Sequence, residues 1–162
     1  MARTEDRPPA IPLRDTGVRV AIVCSGFHRG LAERLLDGAR ERLAESGLPA
    51  ANVEVHWVPG AYESPYAAKV LADSGRVDGI VAVGAVVRGA TPHFDHVCFG
   101  ASQGLMRVAV DTGVPCTFGI LTCDTVEQAW ARAGGEVGNA GSDAADAVVS
   151  LINLRRQVAA GA

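Results

Sequence analysis

The sequence predicts an α/β protein, a single-domain three-layer αβα sandwich built around a four-stranded parallel sheet. Three observations carry that class. Four short runs rich in Val and Ile alternate with longer segments whose apolar residues recur at helical spacing. Right-handed crossovers between successive strands then give parallel pairing with helices on both faces. The chain is 48% hydrophobic but only 5% aromatic, so its core is Val, Ala, Leu and Ile, as helices packed on a parallel sheet require. At 162 residues, without repeats or a dividing linker, it is long enough for one sizeable core.

Residues 1–14 are polar and proline-bearing and are expected to form a mobile N-terminal arm, with Ile11-Pro12-Leu13 suited to a neighbour's sheet edge. The first strand covers residues 18–24 and ends in the loop Ser25-Gly26-Phe27-His28-Arg29-Gly30. Leu31, Leu35, Leu36, Ala39 and Leu43 repeat on one helical face, and Gly47 stops that helix. Within the loop, Phe27 is either a flat face for a heterocycle or a ring tucked into the core. Residues 53–58 alternate as the second strand. Pro59-Gly60 makes the turn after it, and Pro65 suits the first turn of a helix through Val70 and Leu71. Glu63 stands at that helix start, where the dipole favours a carboxylate whether or not it has a function.

Residues 79–83 form the third strand and lead into Gly84-Ala85-Val86-Val87-Arg88-Gly89-Ala90-Thr91-Pro92-His93-Phe94-Asp95-His96. This stretch is a strand-to-helix crossing at the carboxyl end of a strand, the place where open α/β sheets bind ligands. Gly89 permits close backbone approach, Thr91 offers a hydroxyl, Arg88 a fixed positive charge, and the amides entering the next helix face an anion. His93 just beyond is able to donate and accept a proton near neutral pH. The competing reading is a glycine turn with a surface histidine.

Helical spacing runs from Val97 through Ala101, Leu105, Val108 and Ala109 to an end near Gly113. Residues 115–122 form the fourth strand, and Thr125 and Gln128 then have capping-box spacing. A short helix through Trp130 and Arg132 breaks at Gly134-Gly135. The last helix, from about Asn139, presents Ala144, Ala147, Val148, Leu151 and Ile152 on one side. The order is βαβαβαβαα, with the folded domain over residues 15–158 and a tail over 159–162. The carboxyl-edge loops are expected to gather Phe27, Glu63, His93 and Phe118 at one rim.

Net charge is −3 with acids and bases interspersed, so the chain has no basic stripe for nucleic acid and no basic amphipathic helix for a membrane. The first residues contain no apolar targeting core, and a cytoplasmic location is expected. A mean hydropathy of +0.17 is high for a small monomer and points to apolar surface buried between subunits. Cys24, Cys98, Cys116 and Cys123 form no C-x-x-C pair and are expected as buried reduced thiols. His93-x-x-His96 with Asp95 has no second cluster to complete a metal site. Lys69 is the single lysine.

Several motifs stand in order and without an insertion from about Val18 to Leu154. They are Gly26-Phe27 with Leu36-x-Gly38-Ala39, and Val58-Pro59-Gly60-Ala61-Tyr62-Glu63-x-Pro65. The stretch Gly84 to Asp95 follows, then Pro115-x-x-Phe118-Gly119-Ile120-Leu121-Thr122 and Glu127-Gln128-Ala129-x-x-Arg132-Ala133-Gly134. Together they resemble the lumazine synthase family of riboflavin biosynthesis, and the resemblance implies a flavodoxin-like fold. It also implies a condensation of 5-amino-6-(D-ribitylamino)uracil with 3,4-dihydroxy-2-butanone 4-phosphate, releasing phosphate and water with no cofactor and no metal. By motif position Phe27 stacks on the pyrimidine, with His28 next to it. Ala61 and Glu63 hold the ribityl chain, Tyr62 is a further substrate-binding residue, and Val86 and Val87 offer backbone bonds to the ring. Gly89, Ala90, Thr91 and Arg132 bind phosphate, His93 moves protons, and Phe118 closes the site from an adjacent subunit. The implied assembly is a homo-oligomer of pentamers, which stack as decamers or close into sixty-subunit icosahedral capsids, with riboflavin synthase as an implied partner.

The chain also departs from the family pattern. His28 stands where asparagine is usual, Glu136 and Ala140 replace two lysines, and Gly100 and Gln103 replace an acid and a lysine of the third helix. Losing a cation and gaining a carboxylate near Arg132 weakens phosphate binding. Two further readings follow. One is a paralogue with a different aminopyrimidine or carbonyl partner, and the other is a flavin- or lumazine-binding shell protein with little catalysis.

Overall fold

Strands β1 (Val20–Ser25), β2 (Val53–Val58), β3 (Gly79–Val87) and β4 (Cys116–Cys123) form one parallel sheet in the order β2-β1-β3-β4 in the computed structural model, which describes residues 8–161. Helices α1 (Arg29–Glu45), α2 (Ser64–Asp73), α3 (His93–Thr112), α4 (Val126–Ala131) and α5 (Ala140–Ala160) connect and follow the strands. Side-chain alternation along β1 sorts the core into two layers. Ile22 and Cys24 pack under α1 and α5 with Leu35, Leu43, Val148 and Ile152. Ala21 and Val23 pack under α2 and α3 with Leu71, Ile80, Ala82 and Leu105. The three-layer αβα sandwich with a four-stranded parallel sheet is therefore the observed fold.

Helix ends follow local chemistry. Gly47 and Gly113, with φ of 92° and 72°, supply the left-handed conformation after α1 and α3. Thr125 caps α4 by accepting from the Gln128 amide, while the Gln128 side chain accepts from the Asp124 amide. Asn139 caps α5 by accepting from Gly141 and Ser142.

Four expectations are corrected. Strand β3 runs on to Val87, because β4 continues to pair with it through Val86↔Thr122 and Val87↔Cys123. Helix α3 begins at His93 rather than Val97, directly after Pro92, whose carbonyl accepts the Asp95 amide at 3.0 Å. The Gly134-Gly135 break is a small antiparallel hairpin, β5 (Ala133–Gly135) with β6 (Gly138–Asn139), too short to show a period in sequence. Finally, α5 is rotated relative to the predicted face. Ala145 and Val149 are fully buried with Ala144, Val148 and Ile152, whereas Ala147 is exposed and Leu151 is 41% exposed. Helix α1 sets that phase. A Cβ at Gly141 would overlap the Leu35 carbonyl oxygen, and the Ser142 hydroxyl donates to the Gly38 carbonyl at 2.9 Å.

The described part of the N-terminal arm lies on its own chain. The Leu13 amide donates to the Ser46 carbonyl at 2.9 Å, Asn153 donates to the Pro12 carbonyl at 3.0 Å, and Leu13 packs on the α1–α5 core. Residues 1–7 and 162, to which the arm and tail expectations also extend, lie outside the described residues. The thiols divide in burial. Cys24 and Cys123 are buried, Cys98 and Cys116 half-buried, and all are free. Large apolar side chains remain exposed on the outer faces of α2 and α3, notably Tyr66, Phe99, Met106 and Val110. Among the described residues no helix is long and apolar enough to cross a membrane.

Candidate active site

Three strand ends converge on the site. The loop after β1 is tied to the end of β2 by the Gly26 amide donating to the Val58 carbonyl at 2.9 Å. Phe27 is 80% exposed, which removes the core reading of that ring. It meets His28 in a T-shaped contact, with 5.1 Å between centroids and 77° between planes. After β2, residues 61–63 form a 3-10 turn that leads into α2, with Ala61 buried and Tyr62 and Glu63 exposed. The Tyr62 ring lies against Gly100 of α3, where an added Cβ would come within 2.6 Å of it. The family's usual acid at that position is thus incompatible with this placement of Tyr62.

Strand β3 outlasts its neighbour β1, whose pairing with it ends at Cys24↔Val83. The close approach of the two strands there demands glycine, since a Cβ on Gly84 would overlap the Ser25 hydroxyl. At the two ends of β3 the amides of Ile80 and Arg88 point to β4, donating to Pro115 and Cys123 at 2.8 and 2.9 Å. Backbone groups alternate sides along a strand, so those of Ala85 and Val87 face the opposite edge, where β1 has ended. The side chain of Val86 packs towards the α2–α3 core and that of Val87 towards the α1–α5 core. Residues 88–92 then reach α3, and the Thr91 hydroxyl accepts from the His93 amide at 3.4 Å.

These pieces enclose a cavity of about 660 Å³. Of the residues singled out in the sequence, Phe27, His28, Ala61, Tyr62, Glu63, Val86, Val87, Gly89, Thr91 and His93 line it. Pro59, Gly60, Ala85, Phe94, His96 and Val97 line it as well. His96 was legible only as a metal-ligand partner of His93. Once α3 is known to start at His93, the spacing of three puts both imidazoles on one helical face. Among the described residues no three His, Cys, Asp or Glu side chains gather as a metal cage would need.

Three predicted site residues are not in this cavity. Ala90 is exposed on the loop outside it. Phe118 lies opposite Ala82 in the middle of β3, five residues before the end of β4, so the expectation that it joins the carboxyl rim is corrected. It is 42% exposed on this edge strand. Arg132 follows α4 and donates to the Gln128 carbonyl at 3.1 Å. Burial pushes the Cys123 thiol up, and the nearby Arg132 charge opposes that shift, which locates Arg132 beside the end of β4.

The charge distribution in the cavity is lopsided. Glu63 is its one carboxylate and no Lys or Arg lines it, leaving His28, His93 and His96 as its basic groups. Arg88, expected to offer its charge to an anion, is already occupied. Its Nε donates to Asp124 at 2.7 Å and its Nη1 to Asp95 at 3.2 Å. Its guanidinium lies 4.2 Å from the Phe94 ring centroid. The hydrogen bond it donates to Asp124, then that to Asp95, holds the Arg88 pKa above its ordinary value.

An aromatic face, unpaired backbone groups at a strand end and a glycine loop entering a helix can hold a flat ring beside an anion, with imidazoles between them. Comparison with known proteins identifies a family. The 6,7-dimethyl-8-ribityllumazine synthase family model matches residues 17–156. Proteins named 6,7-dimethyl-8-ribityllumazine synthase from Coxiella burnetii strain CbuG_Q212 and strain RSA 493 / Nine Mile phase I are each 47% identical over 146 residues, covering 90% of this chain and 97% of theirs.

Proposed function

The chain belongs to the 6,7-dimethyl-8-ribityllumazine synthase family of riboflavin biosynthesis, a family of transferase-type enzymes, and we propose that the cavity at the end of β3 is where it joins its two substrates. The aminopyrimidine lies on Phe27, with its ring edge towards the backbone of Val87 and its ribityl hydroxyls towards Glu63. His28 and Tyr62 form the side walls. The phosphorylated ketone lies along residues 89–91 at the start of α3. The substrate amine attacks the ketone carbonyl and water leaves to give an imine, so no enzyme lysine is consumed. His93 then moves protons while phosphate departs and the ribityl-bearing amine closes the second ring on the remaining carbonyl with loss of water. Positioning two reactants in one cavity supplies much of the rate, and the imidazole supplies the rest.

The observation that carries this reading is the joint presence of Phe27, the free strand end, Gly89, Thr91 and His93 around one cavity. The absence of any Lys or Arg from its lining supports a second step. A phosphate dianion needs a cation, and Arg132 of an adjacent copy is the proposed source, arriving with that copy's Phe118. On this reading residues 15–158 are the catalytic domain. The working form is a homo-oligomer of pentamers, alone, stacked as decamers or closed into capsids, in the cytoplasm with riboflavin synthase as a partner.

Subunit mixing tests the shared site. His93→Ala and Arg132→Ala chains are each expected to turn over slowly alone. When the two are refolded together, sites holding an intact His93 from one copy and an intact Arg132 from the next are expected to regain activity. No regain on mixing would place both groups in one chain and remove the shared site. Tight flavin binding without turnover by the unaltered protein would remove the condensation itself.

A further inference from the structure

We infer that Arg88 is a positioning residue: it ties the ends of β3, β4 and α3 together around the proposed phosphate loop, as counter-ion to Asp95 and Asp124 rather than as a ligand of phosphate. The inference rests on the reading of residues 89–91 as the phosphate site. Five residues, 88–92, span from β3 to α3, and Arg88 holds both ends of that span. Its amide donates to the Cys123 carbonyl at 2.9 Å, continuing the β3–β4 ladder one residue past the strand. Its Nε donates to Asp124 Oδ1 at 2.7 Å, and its Nη1 to the two oxygens of Asp95 at 3.2 and 3.4 Å. The face of the guanidinium rests on Phe94, which is 9% exposed. A planar fork bridging two carboxylates while stacked on a ring has one orientation, and lysine has no equivalent.

Position along the chain gives this clamp its consequence. The residues on either side of Arg88, Val87 and Gly89, both line the cavity, and so do Phe94 and His96 on either side of Asp95. Holding Arg88 to Asp95 therefore holds four lining residues and the turn of α3 that carries His93. The third corner, Asp124, is itself fixed by its amide donating to Gln128 Oε1 at 2.9 Å. Charge matters as well. The carboxylates facing Arg88 come from α3 (Asp95) and from the segment after β4 (Asp124), and Arg88 neutralises both beside the place where a phosphate would enter. With 43% of the Arg88 side chain exposed, water screens these pairs, so their value lies in geometry more than in stability.

Two-substrate kinetics on the full-length oligomer test this. Arg88→Ala is expected to raise KM for the phosphorylated ketone about tenfold, as two uncompensated carboxylates repel it, and to lower kcat as His93 loses its register. KM for the aminopyrimidine is expected to stay within about twofold. Adding Asp124→Asn to Arg88→Ala is expected to bring the ketone KM part of the way back, which a merely structural arginine would not do. Arg88→Lys, with its charge kept and its fork lost, is expected to show near-normal KM and low kcat. If Arg88→Ala does not fold, Asp124→Asn alone carries the same test by lowering kcat at unchanged ketone KM. Unaltered kinetics in Arg88→Ala, or a ketone KM that Asp124→Asn fails to recover, would overturn the inference, the second by making Arg88 a phosphate ligand. Turnover by the unaltered chain is the separate control on the reading beneath. Calorimetry with inorganic phosphate tests the same variants for the same recovery should that turnover be missing.

Discussion

On the face of the sheet covered by α1 and α5, buried polar groups find partners within the chain. Arg42 is 3% exposed, yet its Nε donates to both oxygens of Asp146 at 2.7 and 2.8 Å, its Nη1 to Glu45 at 2.9 Å and its Nη2 to the Pro8 carbonyl at 2.8 Å. Thr117 and Ser142 reach the carbonyls of Ala144 and Gly38 at 2.9 Å. The face covered by α2 and α3 contrasts with it. There the Ser64 hydroxyl is buried without a hydrogen-bond partner, the one such side-chain group found among the described residues. Phe99, Met106 and Val110 are exposed on α3, and the cavity opens at the rim. Arg42 and Arg88 each bridge two carboxylates, but the Arg42 side chain is 4% exposed beneath its partners while that of Arg88 is 43% exposed behind the cavity. The α1–α5 face satisfies these buried polar groups within its own chain, whereas the α2–α3 face leaves a buried hydroxyl unpartnered and borders the cavity.

Substitutions on the two faces should therefore separate stability from turnover. The largest effect is expected at Arg42→Ala, which leaves carboxylates around a vacated buried position and costs about 3 kcal/mol, read from denaturant midpoints at fixed protein concentration. His93→Ala is expected to lower kcat about a hundredfold while the midpoint moves by less than about 0.5 kcal/mol. A midpoint shift as large as that of Arg42→Ala would dissolve the contrast. High pH should act on both faces at once. Burial pushes the thiols of Cys24 and Cys116 up to about 12, and these pack on the α1–α5 and α2–α3 sides respectively. The folded thiol holds its proton more tightly than the unfolded one, so this contribution is intact below the ordinary thiol range near 9 and is lost as pH rises towards 12. Melting temperature should accordingly fall across that window, and the native protein should resist thiol reagents below it. The smallest effect is expected at Ser64→Ala. Removing an unpartnered buried hydroxyl should change stability by no more than about 0.5 kcal/mol, or raise it, and a loss beyond about 1 kcal/mol would mean that the hydroxyl has a hydrogen-bond partner in solution.

Much of this architecture was legible before any coordinates. The strand at residues 53–58 is where its alternation put it, and Gly47, Gly113, Thr125 and Asn139 mark helix ends as their chemistry requires. What escaped had a physical cause in each case. Ala144, Val148 and Ile152 fit either of two adjoining stripes on α5, and only the contact of Gly141 with α1 chooses between Ala145 and Ala147. Arg88 reads as a free cation next to a glycine loop because neither Asp95 nor Asp124 announces its direction in sequence. Phe118 shares its strand with true rim residues, but register places it mid-sheet. His96 was hidden by an error of four residues in the start of α3, since a shift of that size turns a helical neighbour of His93 into a loop residue.

The amino-acid sequence by itself determined the layer order, the existence and parallel direction of the four main strands, and the residue types gathered at one end of the sheet. Periodicity, turn chemistry and crossover handedness are local or topological properties that survive without coordinates. Tertiary structure alone decided which of the gathered groups share a cavity and which cations are already taken. Those outcomes depend on strand register, helix rotation and the direction of side chains from distant segments. The chain carries no local record of any of them, because each is settled by packing against a partner far away in sequence.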